Sequence, residues 1–226
     1  MLRKTLLACG ILSSLLYLAM NVFVAAQWPG YSSFSQVVSE LSAIDSPTRS
    51  LWLPLGLLYG VLLLAFGYGV WRSAQARQRR PLRVAGALLV VYALIGLFWP
   101  PMHLRPVLAA GGGTLTDTLH IVWTAVEGVL MVLAIGFAAA SFGRRFRVYS
   151  IASIVSMLVC GWLTGTFAPA IQADKPTPWV GVWERVVIAS QMLWIAVLSI
   201  TILRGRSHHG AAMNTSSPAR GRRAAA

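Results

Sequence analysis

Acidic residues are scarce in this sequence: six Asp and Glu stand against nineteen Lys and Arg, and only 11% of all residues are charged. Soluble domains carry about a quarter charged residues, so a water-covered globular surface is excluded. Cysteine is scarce too. Cys9 and Cys160 cannot make a disulfide framework, and their predicted depths differ by roughly 10 Å or more at 1.5 Å rise per residue, so they should not pair. Of four histidines, His208 and His209 lie in the tail and read as solvated residues. LLAC at 6–9 imitates a lipoprotein cleavage site, but the apolar run between Lys4 and Cys9 is too short for one. A secretory signal ending at VAA (24–26) stays open.

What is present is apolar length. Mean hydropathy is +0.67, and a span needs about 20 predominantly apolar residues. Six stretches qualify, at about 5–26, 51–71, 84–100, 116–141, 148–168 and 179–203. The expectation is an all-α polytopic membrane protein: a six-helix domain over 1–203 and a disordered basic tail over 204–226. The basic residues place its ends. Arg3 and Lys4 precede the first span, Arg72, Arg77, Arg79, Arg80 and Arg83 mark the second loop, Arg144, Arg145 and Arg147 fill the fourth, and five more arginines follow the last span, whereas the first, third and fifth loops hold only Arg49, Arg105 and Lys175. By the positive-inside rule both termini are cytoplasmic, in a plasma membrane. The net charge of +13 then reflects orientation and anionic lipid, so membrane lipids are the expected partners and nucleic acid is not.

Between the first two spans stands YSSFSQVVSELSAIDSPTRS (31–50), polar where its flanks are apolar. Phe34, Val37, Val38 and Leu41 fall at helical spacing, which predicts a short amphipathic helix in the first extracytoplasmic loop. Ser33 with Gln36 fits a capping box, and Ser46 before Pro47 fits an N-cap for the second span. The third loop, PPMHLRPVLAAGGGTLTD, reads as irregular. In the fifth span Ser150, Ser153, Ser156, Cys160, Gly161 and Gly165 form a small-residue face for helix packing.

All six carboxylates, and both histidines outside the tail, fall on the predicted outer side. Acidic residues contribute little to orientation, so a polar cavity open to the outside is the better account. Asp117, His120, Thr124 and Glu127 recur at spacings of three, four and three, one stripe of the fourth span. Ionisable groups within a span are functional candidates by default. Glu127 stands to be neutral or paired with Arg185, and Glu184 shares a face with Gln191; an ion pair between the fourth and sixth spans is an equally good reading of Glu127, Glu184 and Arg185. Asp117 can equally be a helix N-terminal carboxylate.

Three chemistries fit these groups. His103, Asp117 and His120, with Glu40 beside them, could ligate a divalent ion such as zinc. Ser35 or Ser39 could be a nucleophile activated by His120, with Asp117 or Glu40 orienting the histidine. In a carrier, His103, Glu127, Glu184 and Arg185 could bind a small polar or amphipathic ligand. Haem is disfavoured, because only His120 lies firmly in a span. Tryptophans concentrate on the outer side, as a thick interfacial belt or an aromatic vestibule.

YSSFSQVVSELSAIDSPTR, PMHLR (101–105), TDTLH (116–120) and GVWERVVI (181–188), in that order relative to the spans, also resemble an uncharacterised family of bacterial and archaeal six-helix membrane proteins, domain of unknown function nine-nine-eight. The resemblance covers about residues 10 to 203 and implies an integral membrane protein with that helix count, and no activity. Its motif positions here are Ser35, Glu40, His103, Asp117, His120, Glu184 and Arg185. Carrier-like binding, membrane-embedded hydrolysis and a structural or assembly role all stay open.

Overall fold

The computed structural model describes residues 1–75 and 79–204; the tail expectation and the loop positions Arg77 and Gln78 lie outside the described residues. The fold is all-α, with no strand among the described residues. Helices run α1 Leu2–Ala26, α2 Arg49–Gln75, α3 Arg80–Gly96, α4 Arg105–Ala109, α5 Leu115–Ala139, α6 Arg144–Thr166, α7 Ala168–Gln172 and α8 Val180–Arg204, with a 3₁₀ segment at Val38–Ser42. Five are long and apolar enough to cross a membrane: α1, α2, α5, α6 continued through α7, and α8. α3, at 17 residues, is as long as the third expected span but begins and ends four residues earlier, because its helix ends at Leu97, before Pro100 and Pro101.

α1 packs against α2 and α8, α3 lies between α2 and α5, and α6 lies on α8. The seam between α5 and α6 is thin. Lipid tails are as apolar as leucine, so close packing rather than burial from water has to hold such helices together. Gly86 lets α3 sit on the α2 backbone, where an added Cβ would fall within 2.5 Å of the Trp71 nitrogen. Hydroxyls bridge α1 and α8 in the same way: Ser14 Oγ donates to the Met192 carbonyl (2.8 Å) and Ser199 Oγ to that of Leu7 (2.6 Å).

The small-residue face of α6 does pack, and onto α8. Ser150 Oγ accepts from the buried Trp194 indole (3.0 Å) and Ser156 meets Ser190 (2.9 Å). The face ends before Gly165, which has nothing near it. Cys9 and Cys160 are both free. One core runs through Leu63, Phe66, Leu89, Met131, Ile135 and Trp194. A smaller one, Met20, Val24, Val38, Leu41 and Trp52, fixes the first loop to α1 and α2.

Candidate functional site

The amphipathic helix expected in the first loop is not an α-helix. Its residues form a turn and then the five-residue 3₁₀ segment, because their side chains take over backbone partners, as polar residues near helix ends commonly do. Gln36 Oε1 accepts from the Ser32 N–H (2.8 Å), in place of the expected Ser33 cap, and Glu40 Oε1 accepts from that of Val37 (3.1 Å). Glu40 belongs to no solvated face: it is 1% exposed. Phe34, expected on the buried face, is 42% exposed and packs on Trp179, with ring centroids 4.4 Å apart. The Ser46 hydroxyl accepts from the Thr48 N–H (3.3 Å), but α2 begins only at Arg49, so Ser46 and Pro47 stand in the turn before the helix and not at the expected cap and first helical position.

Glu40 is held by a residue that the sequence marked only as a loop charge. Arg105 donates Nε (3.0 Å) and Nη2 (2.7 Å) to Glu40 Oε1, Nη1 to Thr177 Oγ1 (2.7 Å), and Nη2 to the Ser35 carbonyl (3.1 Å). Thr177 Oγ1 donates to the same carbonyl (2.7 Å). One buried guanidinium thus clasps the three loops on this side of the bundle. Ser35 enters through its carbonyl. The only sequence signal was that these loops hold few basic residues, Arg105 with Arg49 and Lys175, and it needs the fold to become a contact.

His103 and Asp117 do come together. The His103 N–H donates to Asp117 Oδ1 (2.7 Å) and its Nδ1 lies 2.9 Å from Oδ2. Asp117 also takes the Thr114 N–H (2.8 Å), the helix-capping role that was its alternative reading. His120 stands apart from this pair. Its Nδ1 bonds the Pro100 carbonyl (2.9 Å) and its ring meets Trp99 edge-on. The described residues contain no group of three or more His, Cys, Asp or Glu placed to share a metal ion, so the expected ligand set of His103, Asp117 and His120 is assembled only in its first two members. Nor does any hydrogen bond among the described residues join Ser35 or Ser39 to a histidine.

Arg185 does not pair with Glu127. Its Nη1 donates to the carbonyls of Ser33 (2.9 Å), Gln36 (3.2 Å) and Gly181 (3.0 Å), and its Nη2 to the Tyr31 hydroxyl (2.9 Å). Burial pushes the Tyr31 phenol up to about 12, so it stays neutral and also donates to the Val37 carbonyl (2.9 Å). Adjacent Glu184 accepts from the Val38 N–H. These neighbours divide the work: Arg185 holds the turn and Glu184 the start of the 3₁₀ segment.

Beneath that segment is a cavity of about 500 Å³. Val38, Ser39 and Ser42 form one wall, and Trp99 and Pro101, from the loop after α3, another. Deeper, α5 contributes His120, Thr124 and Glu127, and α8 contributes Glu184 and Gln191, the stripes read in the sequence. Tyr17, Tyr59 and Tyr92 from α1, α2 and α3 line it too and carried no sequence signal beyond being apolar-span aromatics. Gln191 Nε2 donates to the Tyr92 hydroxyl (2.5 Å). Glu127 Oε1 is buried against Gly96 with no hydrogen-bond partner. His103 and Asp117 do not line this cavity.

A family model described as "Protein of unknown function (DUF998)" matches residues 11–201. The chain belongs to this family. No curated protein and no solved structure matches it. Of the DUF998 motif positions named above, Glu184 and His120 reach the cavity, whereas Ser35, Glu40 and Arg185 build the clasp over it.

The geometry predicts which pairs are coupled. In a double-mutant cycle, His103→Ala and Asp117→Asn should be non-additive by about 1 kcal/mol, within the range for residues in contact. His120→Ala should add to either within about 0.5 kcal/mol. Thermal unfolding in detergent measures both, and coupling of His120 to His103 of comparable size would show that the three act as one unit.

Proposed function

We propose that this DUF998 protein spans the membrane six times with both ends in the cytoplasm, and that it binds a small polar or amphipathic ligand in a cavity open to the outer side. The cavity carries this reading. It gathers two carboxyls, an amide and three phenols around one space in helices that are otherwise apolar, a costly arrangement in a membrane unless something uses it. Its volume falls in the range of small-molecule sites, about 300–1,000 Å³. α3 supports a sixth span: 17 residues rise about 26 Å at 1.5 Å each, near the roughly 30 Å of a hydrocarbon core. The arginines at Arg144, Arg145 and Arg147 support the orientation.

A second reading, hydrolysis at the outer leaflet, is favoured by the His103–Asp117 pair. A carboxylate that fixes Nδ1 leaves Nε2 for a proton or for an ion such as zinc, and zinc in the purified protein would support it.

Accessibility tests the cavity reading. With Cys9 and Cys160 changed to alanine, Thr124→Cys in the cavity wall should react with an impermeant thiol reagent added to intact cells, and Gly143→Cys at the start of α6 should not. Labelling of Gly143→Cys, or a fully protected Thr124→Cys, would overturn the outward orientation of the site.

A further inference from the structure

We infer that the cavity selects an amphipathic organic ammonium, its charged head held by Glu127 and the tyrosine rings, and its apolar part against α2. The inference rests on the cavity reading above and names its ligand class.

Charge decides the sign. The walls carry two carboxyls against one guanidinium, Arg49, whose Nη1 is engaged by the Ser42 carbonyl. The other nearby cations are committed elsewhere, Arg105 to Glu40 and Arg185 to loop carbonyls. Glu184 already accepts the Val38 N–H. Glu127 Oε1 has no partner, and an ionised carboxylate left so in an apolar setting is strongly disfavoured until a cation joins it. An anionic ligand would meet two carboxyls, and a neutral one would leave Glu127 as it is.

The surroundings decide between an inorganic and an organic cation. A bare Ca²⁺ takes six to eight oxygens, and the described residues hold no cluster of three potential ligands. Aromatic faces are there instead. The Tyr17 ring stands 4.5 Å from Tyr59 and edge-on to Trp52 at 5.9 Å, and all three line the cavity with Tyr92. Ring faces attract substituted ammonium groups, with which they make cation–π contacts. The α2 wall also presents Leu53 and Leu57, 49% and 60% exposed, a surface for a chain rather than for a head group.

The test is calorimetric titration of the full chain in nanodiscs, with empty nanodiscs subtracted, using decyltrimethylammonium, decyl sulfate and decyl maltoside. The ammonium should bind saturably and at least tenfold more tightly than the other two. Glu127→Gln should abolish that preference while the protein melts no earlier than wild type. Gly128→Phe should remove saturable binding; Gly128 lines the cavity and nothing lies within 4 Å of a Cβ added there, so a side chain can start into the space. Equal binding of all three probes, blocked by Gly128→Phe, would overturn the ammonium class and leave the cavity reading standing. Binding that ignores Gly128→Phe, or no saturable binding of any probe, would overturn both. A preference for the ammonium that survives in Glu127→Gln would overturn the assignment of Glu127.

Discussion

Arg105→Met is expected to cost about 3–5 kcal/mol of stability, the usual penalty for removing one partner of a buried ion pair. The side chains of Arg105 and Glu40 are 9% and 2% exposed, so the methionine variant leaves a carboxylate with no counter-charge and little water. Methionine fills much the same volume, which isolates the charge from the packing. Glu40→Gln should cost less, because the guanidinium keeps Thr177 and the Ser35 carbonyl. Adding Glu40→Gln to Arg105→Met should restore part of the loss, since the stranded charge is then gone. Denaturation in detergent measures all three. An Arg105→Met protein within about 0.5 kcal/mol of wild type would show that the clasp is not what holds the loops. Glu40 could not have been assigned this role from its sequence neighbourhood, where it reads as a metal ligand or as the carboxylate that orients a histidine.

Gly181→Ala carries the second largest expected effect. The first loop lies directly on the start of α8, and a Cβ at Gly181 would fall on the carbonyl oxygens of Ser33 and Gln36, both backbone atoms that cannot swing aside. The Gly181 N–H also donates to the Phe34 carbonyl (3.1 Å). A single methyl therefore pushes the turn away from Arg185 and loosens the Val38–Glu184 contact at the cavity roof. Overpacking of this kind costs about 1–3 kcal/mol. Gly136→Ala is the control: it is helical, nothing lies within 4 Å of its added Cβ, and it should cause no loss. If Gly181→Ala matched that control in melting temperature, and left Ser42→Cys no more reactive than before, the roof would not depend on this contact.

Both variants probe interactions between segments far apart in the chain, and this is where the sequence reading stops. Within single helices it was productive. Hydrophobic runs located α1, α2, α5, α6 and α8 because length and apolarity are properties of a continuous stretch. Period 3.6 placed His120, Thr124 and Glu127 on one stripe and Glu184 with Gln191 on another, and all five reach the cavity. The same spacing misled in the first loop. Four apolar residues at helical intervals describe a helix only if the backbone keeps its own hydrogen bonds, and Gln36 and Glu40 took those donors instead.

The sequence alone determined the class of protein, since an apolar run that cannot be covered by charge has to be covered by lipid. It also determined the family and the set of polar residues that stand out against that apolar background. The tertiary structure decided their partners. Asp117 sits one turn from His120 in sequence yet bonds His103, because a loop folded back across the helix end brings a closer donor. Adjacent Glu184 and Arg185 take different parts of the first loop, Val38 and the turn at Tyr31–Gln36, because successive residues on a helix point about 100° apart. Arg105 became the centre of three loops because a buried carboxylate needs a charge of the other sign, and sequence distance does not enter that requirement.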